Sequence, residues 1–213
     1  MSQTKNSSTI YIIDDDDAVR NSISMSLTVE GYSTKEFSNA NDFLESYLDQ
    51  PGCIVTDIEM PAMNGLELQA LLIEQNINIP IIFITGKGDI AMSVKAMKSG
   101  AIDFLEKPFI KQDLITSLQK ALAIDLEARQ LNDSQLEIQQ RFKQLTEREK
   151  HVLLMLTKDH AKLTNKDIAQ ELGISKRTVE VHRSSIMSKM LAHTRAELVE
   201  LSKCCDLDKL QQA

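Results

Sequence analysis

The sequence has little cysteine and no long apolar run, and each absence excludes a class of protein. Its 213 residues include three cysteines, too few for the disulfide framework of a small secreted domain. No cysteine–histidine set has the spacing of a zinc site. No apolar stretch reaches the ~18 residues that cross a membrane, and the opening MSQTKNSSTI lacks the apolar core of a signal peptide. We therefore expect a cytoplasmic protein without a membrane partner.

Charge is distributed unevenly along the chain, although the overall balance is acidic. The formal net charge is −7. Residues 1–143 hold 12 Lys and Arg against 21 Asp and Glu, a net of −9, whereas residues 144–213 hold 12 against 10, a net of +2. A chain of this length accommodates two domains of ordinary size. An acidic first part and a mildly basic second part indicate domains with different partners.

Short apolar runs alternate with longer amphipathic stretches over residues 9–124. The apolar runs are Ile10–Ile13, Tyr32–Phe37, Cys53–Thr56, Ile81–Thr85 and Phe104–Leu105, and the helix candidates are 17–30, 40–48, 65–75, 90–99 and 111–124. The runs are short and bounded by turn or acidic residues, as buried parallel strands are. Five β–α repeats predict a doubly wound α/β domain with a five-stranded parallel sheet, assigned to residues 1–124.

A long helix is predicted next, because residues 112–145 contain no Gly or Pro and are rich in Gln, Leu, Glu and Lys. Residues 125–144 are assigned to a helical linker. A heptad pattern runs through it, with Ile124, Leu131, Ile138 and Leu145 at one position and Ala128 and Phe142 at another. Gln135 interrupts the second position. An amphipathic linker lying on a domain is therefore favoured over a dimer-forming coil.

Residues 145–213 show helix signals without strand signals, which predicts a separate, small all-α domain. Within it, Thr164 or Asn165 can cap a helix that Gly173 ends, and Ser175 can cap the next helix. The core face of that next helix carries Val179, Ile186 and Met190. This arrangement predicts a helix-turn-helix.

Polar residues follow four of the predicted strands. The run Asp14–Asp17 follows the first, Asp57 ends the third, Thr85 ends the fourth and Lys107 follows the fifth. Because the carboxyl ends of parallel strands meet at one edge, we expect these side chains at one rim. Clustered carboxylates repel one another unless a cation compensates, and all-oxygen clusters beside a phosphate suit Mg²⁺. A carboxylate can also act as a nucleophile and form an aspartyl-phosphate.

Each of these residues also has a simpler interpretation. Asp16 and Asp17 precede a helix, where acidic residues cap the backbone and match the helix dipole. A single Asp at a strand end, a Thr in a strand or an exposed Lys has little meaning alone. Their occurrence at the corresponding ends of successive strands favours a shared site.

Three segments, YIIDDDDAVR, CIVTDIEMPAMNGLEL and IPIIFITGKGDIAMSVKAMKSGAIDFLEKPF, resemble the receiver domain of two-component response regulators over residues 9–124. The resemblance implies a role for each rim residue. These roles are Asp57 as phosphoacceptor; Asp14, Asp15, Asp57 and the backbone carbonyl of Glu59 as ligands of Mg²⁺ or Mn²⁺; Thr85 and Lys107 as phosphoryl-binding residues; and Thr85 with Phe104 as a switch pair.

The second helix of the predicted helix-turn-helix has an apolar back and a basic, polar front, which suits the DNA major groove. An ordinary solvated helix face has a similar pattern. However, LTEREKHVLLML and NKDIAQELGISKRTVEVHRSSIMSKM resemble the LuxR-type helix-turn-helix over residues 145–202, and the whole chain resembles the NarL/FixJ subfamily. The resemblance implies base contacts from Glu180, Val181 and Ser184. Phosphate contacts are expected from Lys166, Arg177, Thr178, His182, Arg183 and Lys189, and Lys176 lies on the same front.

One stretch departs from the family, since DHAKLTNK at residues 159–166 replaces a shorter, glycine-containing turn. The leading hypothesis is a transcription regulator and not an enzyme, with at most slow autophosphorylation and autodephosphorylation. A sensor histidine kinase, promoter DNA, RNA polymerase and a second copy of the phosphorylated chain are the implied partners. The alternatives are a Mg²⁺-dependent phosphohydrolase with an aspartyl-phosphate intermediate, which would carry a D-x-D pattern where Glu59 stands, and a receiver-like module with a vestigial DNA domain.

Overall fold

A computed structural model describes residues 8–86, 90–157, 163–205 and 207. The chain divides into two compact units, Met1–Arg129 and Gln130–Ala213, and this division falls within the predicted linker. Residues 159–162 of the unusual turn lie outside the described residues. Among the residues that are described, no helix combines the length and the apolarity that crossing a membrane requires.

The first unit is built on one parallel sheet, as predicted. Its strands are β1 (Thr9–Ile13), β2 (Ser33–Phe37), β3 (Gly52–Asp57), β4 (Ile81–Thr85) and β5 (Asp103–Glu106). They are ordered β2-β1-β3-β4-β5 and every neighbouring pair is parallel. The helices between them are α1 (Asp17–Val29), α2 (Ala40–Ser46), α3 (Gly65–Glu74) and α4 (Ile90–Lys98), and α5 (Lys111–Lys143) follows β5.

Two apolar cores cover the two faces of this sheet. Alternate residues of a strand point to opposite faces, so Tyr11 and Ile13 belong to the core packed by α2, α3 and α4, whereas Ile10 and Ile12 belong to the core packed by α1 and α5. The central strand β3 is buried along its whole length. This burial on both faces explains why the strands read as continuous apolar runs.

The second unit contains the remaining helices of the described chain. They are α6 (Glu147–Thr157), α7 (Asn165–Leu172), α8 (Lys176–Met190) and α9 (Arg195–Ser202). The predicted caps are confirmed, because Thr164 and Asp167 form a capping box on α7 and the Ser175 side chain accepts from Thr178 N. Gly173 ends α7 with φ 65°, a left-handed conformation that favours glycine.

The residues of the heptad pattern, which runs from α5 to Leu145, lie in different surroundings. Ile138, Phe142 and Leu145 pack into the core of the second unit. Ile124 and Leu131 are exposed. The C-terminal part of the pattern therefore packs on the second unit, whereas the preference for an amphipathic linker over a dimer-forming coil stays a prediction.

Candidate functional site

The carboxyl ends of four strands bring the predicted polar residues to one rim of the first unit. Asp14 directly follows β1, Asp57 ends β3, Thr85 ends β4 and Lys107 directly follows β5. Their strands are neighbours in the sheet. In the strand register, Asp57 lies opposite Ile84 and Thr85 lies opposite Glu106. The strands therefore end at nearly the same height in the sheet.

Lys107 joins two of the acids directly. Its ammonium Nζ lies 2.6 Å from Asp57 Oδ2 and 2.7 Å from Asp14 Oδ2. Burial opposes the charged ammonium, but the hydrogen bonds to Asp14 and Asp57 outweigh burial and raise the pKa of Lys107. The ammonium is therefore charged at neutral pH and compensates part of the acidic cluster.

Asp14 is fully buried, whereas Asp15 is exposed. Burial raises the pKa of the Asp14 carboxyl, although hydrogen bonds from Lys107 and from the backbone N–H of Asp16 counteract it. The distance from Asp16 N to Asp14 Oδ1 is 2.9 Å. Asp14 is thus held at both carboxylate oxygens, one by an ammonium and one by the backbone.

The phosphoacceptor candidate is similarly fixed. Asp57 Oδ1 accepts the backbone N–H of Glu59 at 3.2 Å, while Oδ2 faces Lys107. The backbone of Glu59 therefore lies at the site and its side chain is exposed. That the Glu59 carbonyl completes a metal site stays a prediction.

A metal-binding group is present among these acids. Ligand atoms of Asp14, Asp15 and Asp57 all lie within 4.8 Å of one another. With Lys107 charged, three carboxylates and one ammonium leave two negative charges. An all-oxygen set with this excess charge fits a hard divalent cation such as Mg²⁺ or Mn²⁺.

The two switch candidates occupy adjacent strands. Thr85 is buried, and its backbone oxygen accepts Lys107 N at 2.7 Å. Phe104 is half-buried and packs against the core on the α4 side of the sheet. Thr85 lies at the rim and Phe104 lies two residues before the end of β5, and their rearrangement stays a prediction.

Two features of the loops refine the sequence interpretation. The Asp16 side chain caps α1 by accepting from Ala18 N and Val19 N, so the simpler interpretation is right for this residue. Gly65 was missed. A β-carbon there would lie 2.5 Å from the Asp57 backbone oxygen, so the start of α3 packs directly on the phosphoacceptor strand.

Most residues predicted to bind DNA are accessible on the second unit. Lys166 lies on α7, and the others lie along α8. The exposed ones are Lys166, Lys176, Arg177, Glu180, Val181 and Ser184, and the half-buried ones are Thr178, His182, Arg183 and Lys189. The large exposed surface of Val181, 62% of the residue, distinguishes this face from a core face.

Some of these side chains have partners within the protein. Lys176 Nζ lies 3.8 Å from Glu180 Oε1 on the exposed face of α8. The Arg183 guanidinium donates to Asn165 Oδ1 at the start of α7. The two helices of the helix-turn-helix are thereby joined through a residue of the recognition face.

Lys189 differs from the others because its ammonium lies 2.7 Å from Glu149 Oε2. Glu149 is buried on α6 and also accepts from Ser185 Oγ at 2.6 Å and Thr146 N at 2.7 Å. Burial would raise the pKa of Glu149, but hydrogen bonds from Lys189, Ser185 and Thr146 lower it to about 2. Sequence reasoning missed Glu149, since an acidic residue in a first helical turn ordinarily matches the helix dipole.

Comparisons with known proteins agree with this geometry. Residues 10–119 match the response regulator receiver domain, and residues 143–202 match the bacterial regulatory proteins of the luxR family. The transcriptional regulatory protein FixJ of Rhizobium meliloti (strain 1021) is 43% identical over 195 residues, which are 91% of this chain and 94% of that relative. The chain is a response regulator of the NarL/FixJ type.

Solved structures of similar proteins extend along the whole regulator. A low-resolution structure of the response regulator StyR has a TM-score of 0.83 and 42% identity, with 92% of this chain and 98% of that chain covered. Full-length FixJ from B. japonicum has a TM-score of 0.56 and 39% identity, covering 92% and 96%. The receiver and the LuxR-type domain of this response regulator therefore occur together in its relatives.

Proposed function

We propose that this response regulator accepts a phosphoryl group on Asp57 from a sensor histidine kinase and then regulates transcription by binding promoter DNA as a dimer. The observation that carries the proposal is the convergence of Asp14, Asp57 and Lys107 within hydrogen-bonding distance. The same chain presents an exposed, polar helix α8 in a LuxR-type domain. Since promoter DNA is its target, the protein acts in the cytoplasm.

The transfer follows from the side chains at the rim. An Asp57 carboxylate oxygen attacks the phosphorus of the donor phosphohistidine, an O–P bond forms, and the N–P bond to the histidine breaks. Asp14, Asp15, Asp57 and the Glu59 carbonyl would hold Mg²⁺, which would neutralise charge on the transferred oxygens. Lys107, now released from one carboxylate oxygen, binds a phosphoryl oxygen, and the Thr85 hydroxyl binds another.

A groove beside the rim gives the kinase a place to bind. It is lined by residues of α1, of the segment after β5 and of the start of α5, among them Val19, Ile23, Pro108, Phe109 and Leu114, and it includes Lys107. Apolar residues next to a buried acceptor suit a partner that must bring its own histidine close to Asp57. This supports a protein kinase as the phosphoryl donor.

Thr85 and Phe104 would transmit the conformational change from the phosphorylated rim to helix α4. Thr85 turns toward the phosphoryl group, and the Phe104 ring moves into the vacated space. Helix α4 lies against β5 and exposes Ile90, Val94 and Met97, which are spaced along one helix side. A change at this apolar surface supports dimerisation of the phosphorylated form.

The second unit would read a duplex with α8. Glu180 can accept from cytosine N4, Val181 can contact a thymine methyl, and Ser184 can reach either base type. Phosphate contacts come from Lys166, Lys176, Arg177, Thr178, His182 and Arg183, and Lys189 adds charge while it holds Glu149. RNA polymerase at the promoter is a further expected partner of the dimer.

Phosphorylation with acetyl phosphate and Mg²⁺ tests the proposal. Wild type should gain one phosphoryl group by mass, form dimers and bind promoter DNA more tightly. Asp57→Asn should do none of these. Equal phosphoryl uptake or equal DNA affinity in the two proteins would rule the mechanism out.

Two further measurements separate the alternatives. Rapid multiple-turnover hydrolysis of small phosphoesters would identify a phosphohydrolase. A genome-wide footprint that is absent both before and after phosphorylation would identify a partner-binding module with an inactive DNA domain. The response regulator is expected to show slow hydrolysis and a phosphorylation-dependent footprint.

A further inference from the structure

Arg20 on α1 reaches back to the loop that carries the metal-binding acids. Its Nη1 donates to the backbone oxygen of Asp14 at 2.6 Å, although the two residues are six positions apart. The Arg20 side chain is only 13% exposed, so this contact lies in a largely water-excluded place. A charged donor to a carbonyl in such surroundings is stronger than a neutral one.

The guanidinium itself is fixed at its other nitrogens. Nη2 donates to Asp17 Oδ1, and Nε lies 3.8 Å from Glu36 Oε2 on β2. The planar Arg20 guanidinium thus faces three acceptor groups, which are the Asp14 backbone oxygen, the Asp17 carboxylate and the Glu36 carboxylate. A lysine ammonium is a point charge on a flexible stem and cannot hold these directions together.

Asp15 is the acid that needs this support. Asp14 is held by Lys107 and by Asp16 N–H. The Asp15 carboxylate is exposed and has no hydrogen-bond or ion-pair partner in the described part of the chain. The Asp15 backbone sets the direction of its Cα–Cβ bond, and the Asp14 oxygen that Arg20 binds belongs to the peptide group joining Asp14 to Asp15.

We propose that Arg20 is a positioning residue for the metal site: by fixing the Asp14–Asp15 peptide, it directs the Asp15 carboxylate toward Asp14 and Asp57. One oxygen from each of the three carboxylates lies within 4.8 Å of the other two in the arrangement that Arg20 supports. The inference rests on the proposed function, because it assigns Arg20 a part in the same metal-dependent phosphorylation.

Mn²⁺ binding to the full chain, followed by electron paramagnetic resonance of the free ion, tests the proposal without any phosphoryl donor. Arg20→Gln is expected to weaken binding about tenfold, the lower limit of what outer supports of metal ligands contribute. Arg20→Lys should restore little of this affinity. Arg129→Gln is the matched control, since Arg129 holds Asp125 and the loop before the opposite end of β3, and it should bind Mn²⁺ like wild type.

Phosphorylation by acetyl phosphate at increasing Mg²⁺ gives the second readout. In Arg20→Gln the half-saturating Mg²⁺ concentration should rise in parallel with the Mn²⁺ dissociation constant. The phosphorylation rate at saturating Mg²⁺ should stay within about twofold of wild type, because Arg20 does not contact the reacting atoms. A general structural role would instead lower the saturating rate.

The outcomes are distinct. Mn²⁺ affinity of Arg20→Gln within twofold of wild type would overturn the role of Arg20, and so would a lower saturating rate with unchanged affinity. If Arg20→Gln does not fold, Arg20→Lys decides by the same two criteria. Wild type that neither binds Mn²⁺ nor takes up a phosphoryl group would contradict the proposed function itself.

Discussion

Gly65 lies so close to Asp57 that a β-carbon at position 65 would stand 2.5 Å from the Asp57 backbone oxygen. It would also lie 3.0 Å from a ring carbon of Phe83 and 3.2 Å from the Ile58 α-carbon. The first turn of α3 therefore packs in close contact with the end of β3, where the phosphoacceptor lies. Backbone atoms on the other side of this contact cannot rotate away as a flexible side chain could.

Gly65→Ala should therefore destabilise the first unit by about 1–3 kcal/mol, the usual cost of overpacking a tight contact. The chain has no tryptophan, and all three tyrosines lie in the first unit, so tyrosine emission during urea unfolding reports on that unit. Gly86→Ala is the control, because a β-carbon there meets nothing within 4 Å. Equal stability of the two variants would contradict the tight contact.

Asp14→Asn should stabilise the metal-free protein. Burial makes the ionised Asp14 carboxyl unfavourable despite Lys107, and Asn leaves Lys107 paired with Asp57. We expect a melting temperature in chelator that is roughly 2–4 °C higher, which corresponds to about 1 kcal/mol in a chain of this size. Asp15→Asn, at an exposed position, should change it little. Both variants should lose stabilisation by Mg²⁺, and a destabilised Asp14→Asn would show that the ion pair dominates.

Glu149 should make the second unit sensitive to acid. Its pKa is lowered to about 2 in the folded protein, so the folded state favours the ionised form and stability falls as pH decreases from ~4.5 toward 2. At pH 7, Glu149→Gln should cost about 1.5–3 kcal/mol, because the hydrogen bonds from Lys189, Ser185 and Thr146 lose their ionised acceptor. The difference from wild type, measured by circular dichroism during urea unfolding, should shrink at pH 3.

The control for that pH dependence is Glu147→Gln. The Glu147 side chain is 70% exposed and pairs with Lys150 on the same helix, and ion pairs of an exposed carboxylate contribute little to stability. A stability loss equal to that of Glu149→Gln would mean that burial of the carboxylate is not what matters.

Arg177→Ala should weaken DNA binding almost equally for all sequences. Arg177 is exposed at the start of α8, and loss of one phosphate contact lowers the slope of log affinity against log salt by about 1. Lys203→Ala removes an exposed lysine that follows α9 and should leave the slope unchanged. Fluorescence anisotropy at several salt concentrations measures both, and an identical slope in Arg177→Ala would place Arg177 away from DNA.

Glu180→Gln should relax sequence preference instead of lowering affinity in general. Glu180 is exposed beside Lys176 on the face of α8, where a carboxylate can accept from cytosine. Discrimination at one base pair should fall by about 1–3 kcal/mol. Selection from a randomised DNA library compares the variant with wild type, and an unchanged consensus would exclude base reading by Glu180.

The site residues at the strand ends could be predicted from the sequence. Asp57, Thr85 and Lys107 were placed at one rim because parallel strands end on the same side, and the structure brings them there. The four-residue Asp run was harder, since capping and metal binding both favour acids before a helix. The Asp16 side chain caps α1, and Asp14 and Asp15 lie with Asp57.

Gly65, Arg20 and Glu149 could not be found in the same way. A glycine after Asn64 reads as an ordinary helix start, and Arg20 reads as a solvated residue of α1. Glu149 is an acidic residue in the first turn of a helix, which is a common position for such residues. Their importance comes from what lies opposite them, namely the Asp57 backbone, the Asp14 carbonyl and Lys189.

The sequence by itself determined the order of strands and helices, the two domains and the residues at the strand ends, because apolar periodicity, caps and turns act between residues close in the chain. Only the tertiary structure decided which atoms meet: the 2.6 Å contact of Lys107 with Asp57 joins residues 50 positions apart. Such distances depend on how the two sheet faces pack as a whole, and no local pattern of residues encodes them.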